Sequence, residues 1–216
     1  VEQRARLVRQ GVAPHVLVMT ATPIPRTLTM TVYGDLDVSL IDELPAGRRP
    51  IVTAVREQPD LTQVAAFLKQ QFEAGRQAYL VYPLIDESDA LDLKAATKEH
   101  ATWGKKLAPH PVGLLHGRLK PDEKEEVMRR FRANEFHALV STSVIEVGVD
   151  VPNASVMIIF EAERFGLAQL HQLRGRIGRG AHKSYCILAT SGKNPEGLQR
   201  LQTLAATSDG FAVAEA

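Results

Sequence analysis

Residues 155–189 read Ser155-Val156-Met157-Ile158-Ile159-Phe160, then Leu167-Ala168-Gln169-Leu170-His171-Gln172-Leu173-Arg174-Gly175-Arg176, then Ser184-Tyr185-Cys186-Ile187-Leu188-Ala189. An apolar run, a helix-length segment and a second apolar run form one strand–helix–strand unit. A chain that repeats this unit builds a mostly parallel sheet with helices on both faces, so the fold class is α/β. Upstream the unit recurs, with strands expected at Ile51–Arg56, Ala78–Tyr82, Val112–Leu115 and Ala138–Ser141. Between them lie helices: Leu61–Glu73, apolar at 61, 64, 65, 68 and 72 and closed by Gly75; Ala90–Leu107; and Pro121–Arg132, which opens with proline and acids. A last helix is expected over Glu196–Thr207. In sheets of this kind ligands bind at the carboxyl ends of the strands.

The segment Pro45-Ala46-Gly47-Arg48-Arg49-Pro50 has the composition of a linker. Before it, residues 3–10 read as the end of a helix, His15–Thr20 as a buried strand, Ile24–Val32 as a short helix and Asp35–Leu44 as a strand. Two units are therefore expected, 1–46 as the tail of one domain and 47–216 as a second.

With 44% hydrophobic and 24% charged residues over 216 positions, the composition is that of a globular domain with ample core material. The net charge of +1 does not speak against nucleic acid, because a local basic face matters more than the sum. A single cysteine, Cys186, excludes an internal disulfide framework and a cysteine-built metal site, and its apolar neighbours suggest an inert buried thiol. No apolar stretch approaches the ~20 residues that span a bilayer, and Val1-Glu2-Gln3-Arg4 is neither a signal peptide nor an initiating start. A cytoplasmic location is expected, and the chain reads as part of a longer protein.

Around the opening stretch stand the residues suited to chemistry. Arg174, Arg176 and Arg179, separated by Gly175, Gly178 and Gly180 and preceded by Gln172, make a multi-donor surface for a polyphosphate. Guanidinium is planar, always charged and binds phosphate oxygens in pairs. The same pattern also suits a basic helix end followed by a glycine turn. After the strand at 138 come Ser141, Thr142 and Ser143, then Gly148 and Asp150. Hydroxyls and amides there can bind phosphate without base specificity, and Asp150 can accept from a sugar hydroxyl; a capped loop is the simpler alternative. His116-Gly117-Arg118 follows another strand and offers Arg118 to a DNA phosphate, whereas His116 alone makes no metal site. Asp86 and Glu87 have no partner in sequence and read as loop acids. Thr20-Ala21-Thr22-Pro23 ends a strand, and its hydroxyls can cap the helix that follows.

Taken together, these strings resemble the conserved motifs of superfamily 2 helicases and translocases. Gln172-x-x-Gly175-Arg176-x-x-Arg179 has the form of motif VI, Ser141 to Pro152 that of motif V, Tyr82 to Glu87 occupies the place of motif IV, and Thr20-Ala21-Thr22 looks like motif III. Tyr33-Gly34-Asp35-Leu36-Asp37-Val38-Ser39 and Ala162-Glu163-Arg164-Phe165-Gly166-Leu167 point to the bacterial RecG family within them. The resemblance implies a RecA-like fold and an ATP-dependent translocase that remodels branched double-stranded DNA as a monomer. It assigns Arg176, Arg179 and Gln172 to catalysis, and Gly148, Asp150, Arg174 and Gly175 to the nucleotide. Thr20, Thr22, Arg118, Ser141, Thr142 and Ser143 are assigned to DNA.

The chain has no Gly-x-x-x-x-Gly-Lys-Ser/Thr loop, and its Asp-Glu-x-Asp string, Asp86-Glu87-Ser88-Asp89, stands in the place of motif IV with no such loop before it, so the parts that hold the phosphates of ATP and Mg2+ are not recognised here. The resemblance places those in an upstream motor domain, and a wedge domain beyond it, so the chain alone is expected to be inactive. Rival readings are a transcription-repair coupling factor-like translocase, a non-catalytic DNA-binding module, and a small-molecule α/β enzyme. The last is opposed by glycines that follow a helix instead of opening one.

Overall fold

The computed structural model describes residues 39, 50–83, 89–142 and 150–207. The elements expected at 3–10, 15–20, 24–32 and 35–44 lie outside the described residues, apart from Ser39. From residue 50 onward the order is β1 (Ile51–Glu57), α1 (Leu61–Glu73), β2 (Gln77–Tyr82), α2 (Asp89–Leu107), β3 (Val112–Leu115), α3 (Pro121–Arg132) and β4 (Ala138–Thr142). It continues with β5 (Ala154–Ile159), a 3-10 turn (Ala162–Arg164), α4 (Leu167–Arg174), β6 (Ser184–Thr190) and α5 (Pro195–Ala206).

The strands pair in the order β1-β6-β5-β2-β4-β3, and every pairing is parallel. Parallel neighbours need a crossover, and the helices supply it on both faces. Alternation along β2 divides the core. Ala78 and Leu80 face α1 and α2, where Leu68, Phe72, Trp103 and Leu107 are buried. Tyr79 and Val81 face α3, α4 and α5, where Met128, Phe131, Leu170, Leu173, Leu201 and Leu204 are buried. Cys186 lies in this second layer as a free thiol, and burial pushes its pKa up to about 12, so it is inert at neutral pH.

Local chemistry sets the helix ends. The Asp60 carboxylate accepts from the Thr62 amide at 2.8 Å to cap α1, and Gly75 leaves that helix at φ 75°. In α3 Pro121 takes the first turn, Glu123 accepts from the Lys120 amide at 2.7 Å, and Arg129, Arg130 and Arg132 end the helix on its negative pole. One expectation shifts, and one turn is new. The helix expected to Arg176 stops at Arg174, because Gly175 forms its C-cap. A 3-10 turn at 162–164 follows Glu161, whose φ of 47° breaks the chain away from β5.

Gln77, fully buried at the start of β2, donates from its amide to the carbonyls of Phe131 at 2.6 Å and Phe136 at 2.7 Å. This ties the end of α3 to the central strand. Nearby, at the amino ends of β3 and β4, His110 and His137 stand edge to face, 4.9 Å apart, each against Phe72. Burial and the second imidazole hold His137 below the ordinary histidine value. Because the unfolded chain then binds more protons below about pH 6.5, stability falls as the pH drops through that value. Replacing His137 with phenylalanine keeps the ring contact and removes the titration. The melting temperature of H137F between pH 7 and 5 is therefore expected to fall less steeply than that of the parent; parallel curves would count against this source of acid sensitivity.

Candidate nucleotide and nucleic-acid site

Helix α4 presents its apolar side, Leu170 and Leu173, to the core and leaves Gln172 exposed. Gly175 closes it, donating its amide to the His171 carbonyl at 3.0 Å, so this amide is spent within the helix end. Arg176 follows, partly exposed, and Ile177 is fully buried behind it. The chain then turns at Gly178, where φ is +76° and a Cβ would lie 2.8 Å from the Ile51 side chain. At Gly180 a Cβ would come within 2.5 Å of the Pro152 carbonyl oxygen. Both close approaches require glycine. They press the turn against the segment at Asp150–Pro152 and set Arg179 beside Asp150, Nη1 to Oδ1 at 3.7 Å. With side chains 35% and 53% exposed, this pair contributes well under about 1 kcal/mol. Arg179 is thus oriented by a contact that a phosphate can displace.

Arg174 has another task than the nucleotide contact expected of it. It is 6% exposed, and its Nη1 donates to the carbonyls of Leu204 and Thr207, both at 2.8 Å, with Nη2 at 3.2 Å from His171 Nδ1. The guanidinium caps the carboxyl end of α5, where unpaired carbonyls and the helix dipole favour a cation. One residue type at three positions therefore divides into a buried anchor and two groups at the surface.

Behind the turn lies Tyr79, 1% exposed, with its ring edge-on to Phe131 at 5.1 Å. Burial raises its ionisation far above the usual phenol range; the charges of Arg176, Arg179 and Arg132 act against that shift, and Asp150 adds to it. The hydroxyl is neutral at working pH, and four charged groups reach it. Sequence reading did not single out Tyr79, since an aromatic residue in a buried strand looks like core.

The other expected site residues are placed unevenly. Thr20, Thr22, Ser143 and Gly148 lie outside the described residues. Ser141 is fully buried in β4 and donates to the Thr142 carbonyl at 2.6 Å, so its hydroxyl does not face outward. Thr142 ends β4, and its buried hydroxyl has no hydrogen-bond partner among the described residues. Arg118 is exposed in the turn after β3. Beside it, His116 is held below its ordinary value by burial and by Lys124 and Arg118, with Glu123 opposing, and is therefore neutral at pH 7. Asp150 is exposed beside Arg179. Glu163, also missed, accepts from the Ser191 amide at 3.0 Å and hydroxyl at 2.7 Å, tying the turn after β5 to the turn after β6. Among the described residues no three His, Cys, Asp or Glu side chains stand together as a metal site, and no helix is long and apolar enough to cross a membrane.

This arrangement has known counterparts. The model of the helicase conserved C-terminal domain matches residues 62–181, and the chain belongs to that family. Along its whole length it is similar to RecG: it is 55% identical over 216 residues to the ATP-dependent DNA helicase RecG of Synechocystis sp., covering 26% of that protein. It is 51% identical to RecG of Bacillus subtilis, covering 32% of it. A solved structure of RecG bound to a three-way DNA junction superposes with a TM-score of 0.78 at 45% identity, over 90% of this chain and 25% of that one. The parallel sheet with helices on both faces is accordingly the RecA-like fold expected from the sequence. The chain spans between about a quarter and a third of the length of these RecG relatives.

Removing the buried anchor has a foreseeable cost. Arg174→Ala leaves the Leu204 and Thr207 carbonyls without their charged donor and is expected to destabilise the chain by about 2–4 kcal/mol in urea unfolding. Arg174→Lys should recover only part of this, since an ammonium cannot reproduce the fork. A loss below about 0.5 kcal/mol for R174A would show that the contacts do not hold α4 to α5.

Proposed function

We propose that the chain is the second RecA-like motor domain, residues 47–216, of an ATP-dependent double-stranded DNA translocase that remodels branched DNA, preceded in 1–46 by the end of the first motor domain. The observation that carries this reading is the turn after α4. Arg176 and Arg179 stand at the surface on a glycine-built turn, and Arg179 is oriented by a weak, exchangeable pair with Asp150. This is the form of a clamp that closes on a nucleotide held mainly by another domain. Similarity to RecG over the full chain supports the particular motor.

In this reading ATP sits between the two motor domains. Arg176 and Arg179 neutralise charge developing on the γ-phosphate, Asp150 is released from Arg179 to meet the nucleotide, and Gln172 orients the clamp and the attacking water. In this reading Mg2+ is held with the phosphates mainly by the upstream domain. Arg118 and the segment after β4, which includes Ser143, meet the DNA backbone. Thr20 and Thr22 couple nucleotide and track from the first domain. When hydrolysis removes the bridging phosphate, the domains part and re-close, and the grip on duplex alternates.

In the full-length protein, Arg179→Ala is expected to lower DNA-stimulated ATP turnover by about 10³-fold or more, with nucleotide binding nearly unchanged, because the contact strengthens in the transition state. Arg179→Lys should rescue little. Near-normal turnover in R179A would reduce the turn to a helix terminus and sink the clamp.

The chain alone, without the phosphate loop and the acids that work beside it, should show no DNA-stimulated hydrolysis above background. Steady turnover by the purified chain would contradict the assignment of those parts to an upstream domain.

A further inference from the structure

The string Ala162-Glu163-Arg164-Phe165-Gly166-Leu167 leads into α4, the helix before the turn of Arg176 and Arg179. That helix has eight residues, its N-cap Gly166 offers no side-chain acceptor, and its first turn holds no acid. A helix so short has little stability of its own, so its place is set by what holds its two ends. Strand β6 meets both. At the amino end of the strand a Cβ on Gly178 would lie 3.9 Å from the Ser184 Cβ and 2.8 Å from Ile51, which pairs with Ser184, so the turn rests there. Past the carboxyl end, seven residues or about 23 Å along, Ser191 donates to Glu163 Oε1 from its amide at 3.0 Å and from its hydroxyl at 2.7 Å. Burial opposes ionisation of Glu163, but these bonds prevail and hold its carboxyl below the ordinary value. Helix α5 closes on the same place: Arg200 donates to the Glu163 carbonyl at 3.3 Å, and a Cβ on Gly197 would stand 2.9 Å from the Glu163 Cβ. Between the two ties, Leu170 and Leu173 share one core cluster with Cys186 and Leu188 of the strand.

We propose that Glu163 is a positioning residue of the clamp: it pins the amino end of α4 to the turn after β6 and so fixes the line along which the helix delivers Arg176 and Arg179. The proposal rests on the clamp reading of those two arginines. In this role Glu163 touches no reacting group. It acts through geometry, since a displacement of about 1 Å at a transition-state contact costs on the order of 10²-fold in rate. Both bonds from Ser191 end on one carboxylate oxygen, so a glutamine carbonyl oxygen can take its place and an alanine cannot. The loss should fall on kcat, where the clamp works, and not on the binding of a nucleotide held mainly by the other domain.

The test uses the full-length protein with E163A, E163Q and S191A, and with R176A/R179A alone and combined with E163A. Steady-state DNA-stimulated hydrolysis gives KM and kcat, single-turnover hydrolysis resolves the slow variants, and a fluorescent ADP analogue counts the molecules competent to bind nucleotide. Rates are taken per competent molecule, which removes any loss due to unfolding alone. E163A is expected to lower kcat about 10- to 100-fold, with KM for ATP and affinity for a three-way junction within about threefold. E163Q should stay within about threefold of the parent, and S191A, which keeps the amide donor, should lose about three- to tenfold. Added to R176A/R179A, E163A should cost less than about twofold more, because the groups through which it acts are already gone. Normal kcat per competent molecule in E163A, with turnover lost in R176A/R179A, overturns the proposal and leaves the clamp standing; should E163A not fold, normal kcat in S191A does the same. A loss in E163A that multiplies with that of R176A/R179A, or that E163Q does not rescue, assigns Glu163 a role other than positioning the clamp and overturns the proposal too. Normal turnover in R176A/R179A removes the clamp reading itself, whatever the Glu163 variants do.

Discussion

A strand with parallel neighbours on both edges and helices on both faces is buried along nearly its whole length, and β2 is such a strand. Its register with β4 runs from Ala78 opposite Ala138 to Tyr82 opposite Thr142, and with β5 from Ala78 opposite Val156 to Val81 opposite Ile159. Each of these pairings requires the chain to return over a face of the sheet, so the layers above and below follow from the pairing itself. The same constraint accounts for Gln77. A buried amide at the mouth of the central strand is tolerated because its NH2 group donates to the Phe131 and Phe136 carbonyls where α3 ends. The strand therefore positions the helix whose Phe131 packs edge-on against Tyr79.

Much of this architecture is legible in the sequence because its signals are local. The apolar spacing of α1, the proline and acids opening α3, and the short aliphatic runs of β2, β4 and β5 each announce an element within its own few residues, and the observed bounds differ from expectation by one or two positions. What is not local is not legible. The order of strands depends on pairings between distant segments, and the 3-10 turn at 162–164 is too short to have a period. Arg174 shows the limit at the site. Its neighbours mark it as part of a phosphate-binding string, yet its partners are carbonyls 30 and 33 residues further on. Whether an arginine in such a string points inward or outward is decided by packing around α4.

Glycine placement explains how the outward pair is held. In the run Gly175-Arg176-Ile177-Gly178-Arg179-Gly180, Ile177 is fully buried and the two arginines flank it. Burying the residue between two charges drives both toward the surface, provided that the backbone can turn sharply enough. Gly178 supplies the positive φ, and Gly180 the approach to Pro152. The glycines are legible as turn residues from the sequence, but the surfaces they approach, Ile51 and Pro152, are visible only in three dimensions.

The arginines of α4 and its turn consequently answer to different energetics. Arg174 trades water for three directed contacts in a site that cannot rearrange, so its value is stability. Arg179, its side chain 35% exposed, donates to the Gly175 carbonyl at 3.4 Å and stands 3.7 Å from an exposed carboxylate, so exchanging Asp150 for another anion costs little. In the proposed motor, a group that grips and releases a nucleotide in each cycle needs a weak resting partner, because a strong one would compete with the phosphate it has to stabilise. The anchor fixes where α4 ends; the glycine turn carries the remaining arginines beyond it. Rigidity in the first and exchangeability in the second are what a preorganised clamp requires.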